Sequence, residues 1–314
     1  MRRTGLGPRL QHGRPDDPDA NVARRCALLE ALRREASLST LFVELRAAFR
    51  LARVGLHLLW AVATVAVVFP WASLGVRHAL KQRWSQQLVG MLGIKVGTGG
   101  TADIPHGLLV ANHISWLDIY VINALAPAAF VAKDDVKDWQ LIGWLCQHTE
   151  TIFLERGSRA AAQRTRETMV AQLASGNHVA LFPEGTTTDG SKVLPFHGAL
   201  FQSAIDASVP VVPLALRYVD ADGKPSRAPA YDGDITLLQC MRAIARASDL
   251  SVQVRVLSPL TTANVDRRHL AAHCHHAIAW HLGHANPSAT PSPTDAPPDH
   301  RASEISADPQ VALP

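Results

Sequence analysis

The sequence predicts an α/β domain preceded by a membrane-binding helical segment. Beyond Gly100, short apolar runs alternate with helical stretches and with polar segments that contain glycine, a pattern typical of α/β proteins. Ahead of that region, residues 54–76 hold no Asp, Glu, Lys or Arg. A stretch of about 20 such residues is enough to cross a bilayer. The composition agrees, because 47% of the 314 residues are hydrophobic and only 18% are charged.

The N-terminal part is predicted to contain a basic arm and then membrane-binding helices. We expect residues 1–22 to be disordered, and residues 23–96 to form amphipathic and membrane-binding helices around the apolar segment 54–76. That segment begins too late to be a secretory signal peptide. Pro70 should break or kink its helix, and the stretch that follows should lie in the membrane interface. The alternative is that residues 54–69 form a buried helix of a globular domain.

A domain over residues 97–284 follows, with a proline-rich tail at 285–314 that we expect to be disordered. The apolar runs predict six strands in this domain, and two longer polar stretches predict helices between them. The predicted strands are His106–Ala111, Ala128–Ala132, Thr151–Leu154, His178–Phe182, Val209–Arg217 and Ser251–Leu257, and the predicted helices are Ser158–Ala174 and His197–Ala207.

Composition excludes several classes of protein. The four cysteines are far apart and form no CxxC pair, which excludes a disulfide scaffold and a structural zinc site and favours a reducing compartment. A net charge of +4 with only 6% aromatic residues argues against nucleic acid and for anionic lipids or substrates. Histidines crowd residues 269–284, but such clusters also bind metals adventitiously, so we expect no physiological metal.

The first polar motif, Asn112 to Asp118, comes directly after an apolar strand. A histidine and an aspartate five residues apart at a strand-to-helix turn can meet, so that the carboxylate accepts a hydrogen bond from one imidazole nitrogen. The other nitrogen of His113 is then left to act as a base near neutral pH. The alternative is a capping pair beside an unrelated histidine.

Two further motifs follow later strands. Arg156 and Arg159 flank Gly157 at one strand end, where a guanidinium and exposed amides can hold a phosphate. Glu184 and Gly185 lie in a turn that also holds a rigid proline and three hydroxyl side chains. Each motif has an ordinary alternative, a solvated charged loop for the first and a simple turn for the second.

Together these motifs resemble the glycerolipid acyltransferases of the 1-acyl-glycerol-3-phosphate acyltransferase type. Four blocks stand in that family's order over roughly residues 93–260: NHISWLD (112–118), FLERG (153–157), FPEGT (182–186) and VPVVP (209–213). The resemblance implies a mixed sheet flanked by helices and a catalytic pair formed by His113 and Asp118. It also implies a set of substrate-binding residues: Asn112, Ser115, Arg156, Gly157, Glu184, Gly185 and Thr186.

The resemblance further implies a reaction without metal or other cofactor. An acyl group would pass from acyl-CoA or acyl carrier protein, as co-substrate, to the free hydroxyl of 1-acyl-glycerol-3-phosphate, giving phosphatidic acid. The partners would be membrane lipids and a lysolipid acceptor, and the place would be the bacterial inner membrane, with the active site facing the cytoplasm.

Two departures from the family pattern keep other acceptors open. Thr187 and Thr188 stand where Arg-Ser is usual after FPEGT, and His197 stands where Lys or Arg is usual. Both changes reduce the positive charge available for a phosphate, and a lyso-ornithine lipid is therefore the alternative acceptor. A membrane-tethered lipid-binding protein without turnover and a hydrolase are the alternatives of other classes.

Overall fold

The computed structural model describes residues 18–101, 103–154 and 159–284. The chain divides into two compact units, residues 1–48 and 49–314. Its α-helices are α1 (Pro18–Val67), α2 (Leu74–Met91), α3 (Asp118–Leu125), α4 (Gln140–His148), α5 (Arg159–Ala174), α6 (Gln202–Asp206), α7 (Leu237–Arg246) and α8 (Arg267–His281). Its strands are β1 (Lys95–Gly100), β2 (Leu108–Ala111), β3 (Ala128–Lys133), β4 (Ile152–Leu154), β5 (His178–Leu181), β6 (Val211–Val219) and β7 (Ser251–Val256).

The strands form one mixed sheet in the order β1-β7-β6-β2-β5-β3-β4. All neighbouring pairs are parallel except β6 and β7. Strand β2 lies at the centre, between the parallel strands β5 and β6. Because the carboxyl ends of parallel strands share one edge, the turns after β2 and β5 meet beside the end of β6.

All six predicted strands are confirmed, with shifts of up to two residues at their ends. The prediction missed β1, which holds three glycines in six residues and has no apolar alternation. This strand exists because it pairs with β7, Lys95 opposite Ser251 through Gly100 opposite Val256. Tertiary pairing therefore overrides a weak local preference at this edge of the sheet.

Helices cover both faces of the sheet and bury two apolar clusters. One cluster joins the sheet to α2, α3 and α7 and includes Leu92, Leu117 and Ile244. The other joins it to α5, α6 and α8 and includes Met169 and Ile278. The α/β architecture with a mixed sheet between helical layers is thus as predicted.

The apolar N-terminal segment is not one continuous helix over 54–76. Helix α1 ends at Val67, a short 3-10 turn covers Phe69–Trp71, and α2 begins at Leu74. The interruption contains Pro70, so the predicted helix break is confirmed. The stretch Ser37–Trp71, 35 residues, is long and apolar enough by length and composition to cross a membrane.

Within the second unit, α1 is buried on one face only. Val54 and Ala61 point into the core, and His57 exchanges hydrogen bonds with Trp84 of α2: His57 Nε2 lies 3.0 Å from the Trp84 carbonyl, and Trp84 Nε1 donates to the His57 carbonyl at 3.1 Å. The two rings stack with centroids 4.7 Å apart. Leu56 and Trp60 on the other side are 68% and 67% exposed. The segment is therefore neither a fully buried helix nor one free of the domain.

The prediction that the stretch after Pro70 lies in a membrane interface is wrong for the second half of α2. Leu88 and Leu92 are buried in the core, whereas Leu74 and Val76 at the start of α2 are exposed. The apolar side of an amphipathic helix can be buried in lipid or in protein equally well, and in α2 it packs against the protein core.

The predicted segment boundaries also shift. Residues 18–22, predicted to be disordered, belong to α1, and β1 crosses the predicted boundary at 97. Residues 1–17 and the predicted tail 285–314 lie outside the described residues.

Candidate active site

The turn that follows β2 is fastened to β6 by the side chain of Asn112. Its amide nitrogen donates to the Leu216 carbonyl at 3.0 Å, and its oxygen accepts from the Leu216 N–H at 2.8 Å. Asn112 is 3% exposed. The structure thus places this predicted substrate contact inside the protein, where it fixes the position of the next residue, His113.

His113 and Asp118 are brought together as predicted. Nδ1 of His113 lies 2.9 Å from Oδ2 of Asp118, and that oxygen also accepts from the backbone N–H groups of Ile114 at 2.7 Å and Ser115 at 2.9 Å. The Asp118 side chain is completely buried, and that of His113 is 18% exposed. A carboxylate can only accept, so Nδ1 carries a proton, and in the neutral imidazole Nε2 keeps its lone pair.

The imidazole plane is set by an aromatic neighbour. The rings of His113 and Phe182 stack with centroids 3.9 Å apart and planes 7° apart, and Phe182 in turn stacks on Phe130 at 5.8 Å. Together with the bond to Asp118, this contact holds the ring in a single orientation. Such a fixed orientation is what a general base needs at the moment of reaction.

Glu184 joins the turn after β5 to the turn after β2. Oε1 accepts from the backbone N–H of His113 at 2.7 Å, and Oε2 accepts from that of Leu194 at 2.8 Å. The residue is 4% exposed, so the structure shows it as an internal brace rather than at the surface of the site. Burial raises the pKa of Glu184 to about 7, more than its two backbone donors lower it.

This pKa makes folding stability depend on pH. Because the folded pKa lies above the ordinary value of 4.5, stability that is fully present below pH 4.5 is lost as the pH rises through 7. The loss between pH 5 and pH 8 should be about 1–3 kcal/mol. In Glu184→Gln that loss should disappear, although the amide accepts only one of the two N–H groups and is less stable at pH 5. Urea unfolding at pH 5 and pH 8 measures both effects. If Glu184→Gln lost as much unfolding free energy between pH 5 and pH 8 as the unsubstituted chain does, the pH dependence would not come from Glu184.

The FPEGT turn presents only two of its predicted residues to solvent, Gly185 and Thr186. Gly185 has φ of +72°, and a Cβ there would lie 3.5 Å from the His197 ring. The next two residues hold the site together. The Thr187 hydroxyl donates to the Tyr231 carbonyl, and the Thr188 N–H donates to the His113 carbonyl at 2.9 Å.

The remaining predicted residues fall into two groups. Ser115 is fully buried, and its hydroxyl accepts from the Leu117 N–H at 3.3 Å, which is a turn contact. Arg156 and Gly157 lie outside the described residues. In the described part of the chain, no three or more His, Cys, Asp or Glu side chains are grouped so that they could hold a metal ion.

Sequence reasoning missed Tyr218, near the end of β6. Its hydroxyl donates to Oδ1 of Asp118 at 2.7 Å, and the residue is 2% exposed. A signal was present, because a tyrosine on the apolar side of a buried strand needs a polar partner for its hydroxyl. The identity of that partner, 100 residues away, could come only from the fold.

Comparison with known proteins places this chain in a family. A family model described as Acyltransferase matches residues 98–217. A lyso-ornithine lipid O-acyltransferase of Pseudomonas aeruginosa is 37% identical over 216 residues, which cover 68% of this chain and 83% of that protein. The chain belongs to the acyltransferase family.

Other members agree with that assignment. A 1-acyl-sn-glycerol-3-phosphate acyltransferase of Neisseria gonorrhoeae is 37% identical over 179 residues, covering 57% of this acyltransferase and 69% of the relative. The fold matches the crystal structure of a 1-acyl-sn-glycerophosphate acyltransferase from Thermotoga maritima, with a TM-score of 0.58 and 19% identity over 78% of this chain and 96% of that one. The predicted enzyme class, an O-acyltransferase, is confirmed.

Proposed function

We propose that this acyltransferase moves a fatty acyl group from a thioester to the free hydroxyl of a membrane lysolipid, with His113 as the general base. The observation that carries the proposal is the bond between His113 Nδ1 and the buried Asp118 carboxylate, made by a histidine that is itself partly exposed. That arrangement leaves Nε2 able to take a proton from a bound hydroxyl.

The proposed reaction balances within the site. Nε2 of His113 takes the hydroxyl proton while the lysolipid oxygen attacks the thioester carbonyl carbon. The tetrahedral intermediate collapses, its carbon–sulfur bond breaks, and the imidazolium returns the proton to the departing sulfur. The products are an ester and a free thiol. The Asp118 carboxylate stabilises the transient imidazolium and keeps the ring in the required tautomer.

We propose acyl-CoA or acyl carrier protein as donor and 1-acyl-glycerol-3-phosphate as acceptor. Arg156, in the block similar to that of glycerolipid acyltransferases, would pair with the acceptor phosphate. A lyso-ornithine lipid is the second candidate, favoured by one structural observation. The Thr187 and Thr188 hydroxyls donate to backbone carbonyls within the protein, so these neutral side chains direct their donors away from a phosphate as well as lacking a positive charge.

The two acceptors are separated by one assay of the purified chain with labelled acyl-thioester and either lysolipid. With lysophosphatidate as acceptor, Arg156→Ala should lower kcat/KM about 10- to 100-fold, mainly through acceptor KM, because one charge-assisted contact is lost. High salt should weaken acceptor binding by the unsubstituted chain. Turnover of lyso-ornithine lipid with no product from lysophosphatidate would overturn the proposed acceptor.

The helix and the named relatives point to membrane association, and we propose the bacterial inner membrane with the site on its cytoplasmic side. Support comes from the apolar stretch Ser37–Trp71 and from the outward-facing Leu56, Leu59 and Trp60. Acyl thioesters are cytoplasmic metabolites, and Cys146, Cys240 and Cys274 are unpaired, as expected in a reducing compartment. Recovery of the intact chain in the soluble fraction would contradict this location.

A further inference from the structure

The Asp118 carboxylate is held from two sides by different donors. Oδ2 accepts from His113 Nδ1 and from two backbone N–H groups, whereas Oδ1 accepts from the Tyr218 hydroxyl at 2.7 Å. Among the described residues, the donor to Asp118 Oδ1 is the Tyr218 hydroxyl. A short O–H···O⁻ bond between buried groups is among the stronger hydrogen bonds in proteins, and it fixes how the carboxylate is turned.

Strand β6 positions both members of the His113–Asp118 pair. The backbone of Leu216 holds Asn112, the residue next to His113, through two hydrogen bonds. Two residues further along β6, on the same face of the sheet, Tyr218 holds Asp118. Hydrogen bonds to one strand in the middle of the sheet therefore help to position both the histidine and the carboxylate.

The Tyr218 hydroxyl stays protonated beside the Asp118 carboxylate. Burial, and then the neighbouring Asp118 charge, raise the pKa of Tyr218 well above its ordinary value, so the hydroxyl keeps its proton throughout the working pH range. At 2% exposure Tyr218 cannot touch a substrate. Any effect it has on turnover must therefore pass through its neighbours, and Asp118 is the one to which its hydroxyl is hydrogen-bonded.

We infer that Tyr218 is a positioning residue for acyl transfer, whose hydroxyl keeps the Asp118 carboxylate turned so that Oδ2 faces His113. This inference rests on the proposed role of His113 and Asp118. Without the hydroxyl, Oδ1 is left buried without its donor, and the carboxylate turns toward whatever donors remain. His113 then loses part of the orientation and charge stabilisation that general-base catalysis requires.

The test uses the full chain with Tyr218→Phe, which keeps the ring and removes only the hydroxyl. We expect kcat to fall about 10- to 100-fold while KM for both substrates stays within about twofold. Tyr120→Phe is the matched control, because Tyr120 packs on the same apolar cluster and is not among the donors to Asp118. That control should keep kcat within about twofold.

A double-mutant cycle shows whether the effect passes through Asp118. In an Asp118→Asn background, Tyr218→Phe should lower kcat less than about threefold, because the charge that Tyr218 orients is already gone. Placing 4-aminophenylalanine at 218 restores a donor on the same ring and should recover kcat even if Tyr218→Phe folds poorly. The inference would be overturned if Tyr218→Phe lowered kcat equally with Asp118 and with Asn at 118. It would also be overturned if 4-aminophenylalanine at 218 did not restore kcat.

The proposed function is tested by a different variant from the role of Tyr218. If His113→Ala keeps its activity, the general-base assignment fails, whatever Tyr218→Phe does. If His113→Ala is inactive while Tyr218→Phe keeps full kcat, only the role of Tyr218 is overturned.

Discussion

Replacing His113 by Ala is expected to lower kcat for acyl transfer by at least about 100- to 10,000-fold, the range that general-base catalysis supplies. The lysolipid hydroxyl would have no base at the position of Nε2, and water, which replaces the imidazole, is a weak proton acceptor. The turn that carries residue 113 should keep its shape, because the backbone N–H of that residue still donates to Glu184. Labelled acyl-thioester and lysolipid, followed under single-turnover conditions, give the rate of the chemical step.

The matched control is His273→Ala, a histidine exposed on α8. It should leave kcat unchanged, which excludes a general effect of histidine loss on the preparation. Thermal unfolding of both variants checks that the fold survives the loss of the His113–Phe182 stack. Activity of His113→Ala within a few-fold of the unsubstituted chain would contradict the base assignment. If His113→Ala lost acyl transfer to the lysolipid but still hydrolysed the thioester, that result would favour the hydrolase alternative.

The elements that sequence could predict are those whose signal is local. Each of the six predicted strands is a short apolar run that the sheet buries whatever its neighbours are, as in Leu108–Ala111. Strand β1 has no such signal and depends on β7, which follows it by about 150 residues. For the second half of α2 the predicted environment is wrong, because an amphipathic pattern specifies an apolar face but not what covers that face.

The same division applies to the site. The spacing of His113 and Asp118 within one turn is local, so the pair could be predicted from the motif. The parts played by Asn112 and Glu184 could not, because their partners are backbone groups of Leu216 and Leu194 that only the folded sheet brings near. Both residues are predicted to bind substrate, and in the fold both are buried and hydrogen-bonded to backbone groups that support the His113 turn. A motif therefore records which residues a site needs, without saying which of them touch the ligand.

Asp118→Asn is the second change expected to have a large effect, about 100- to 10,000-fold in kcat, with little loss of stability. An asparagine fits the same space: its oxygen can take the Oδ2 position and accept from Ile114 and Ser115, while its nitrogen faces the Tyr218 hydroxyl, which can rotate to accept. What is lost is the negative charge, which in the proposed mechanism stabilises the imidazolium formed when His113 takes the proton.

The number of hydrogen bonds around residue 118 is thus nearly preserved, and Asp118→Asn measures the effect of removing the negative charge. We expect KM for either substrate to change less than about threefold, because the Asp118 side chain is completely buried and has no contact with solvent. Asp118→Ala, which removes the acceptor as well, should be no more active but clearly less stable, since two backbone N–H groups of the turn then lose their partner. If Asp118→Asn retained full kcat, the charge would be irrelevant to turnover, and Asp118 would serve only to shape the turn that carries His113.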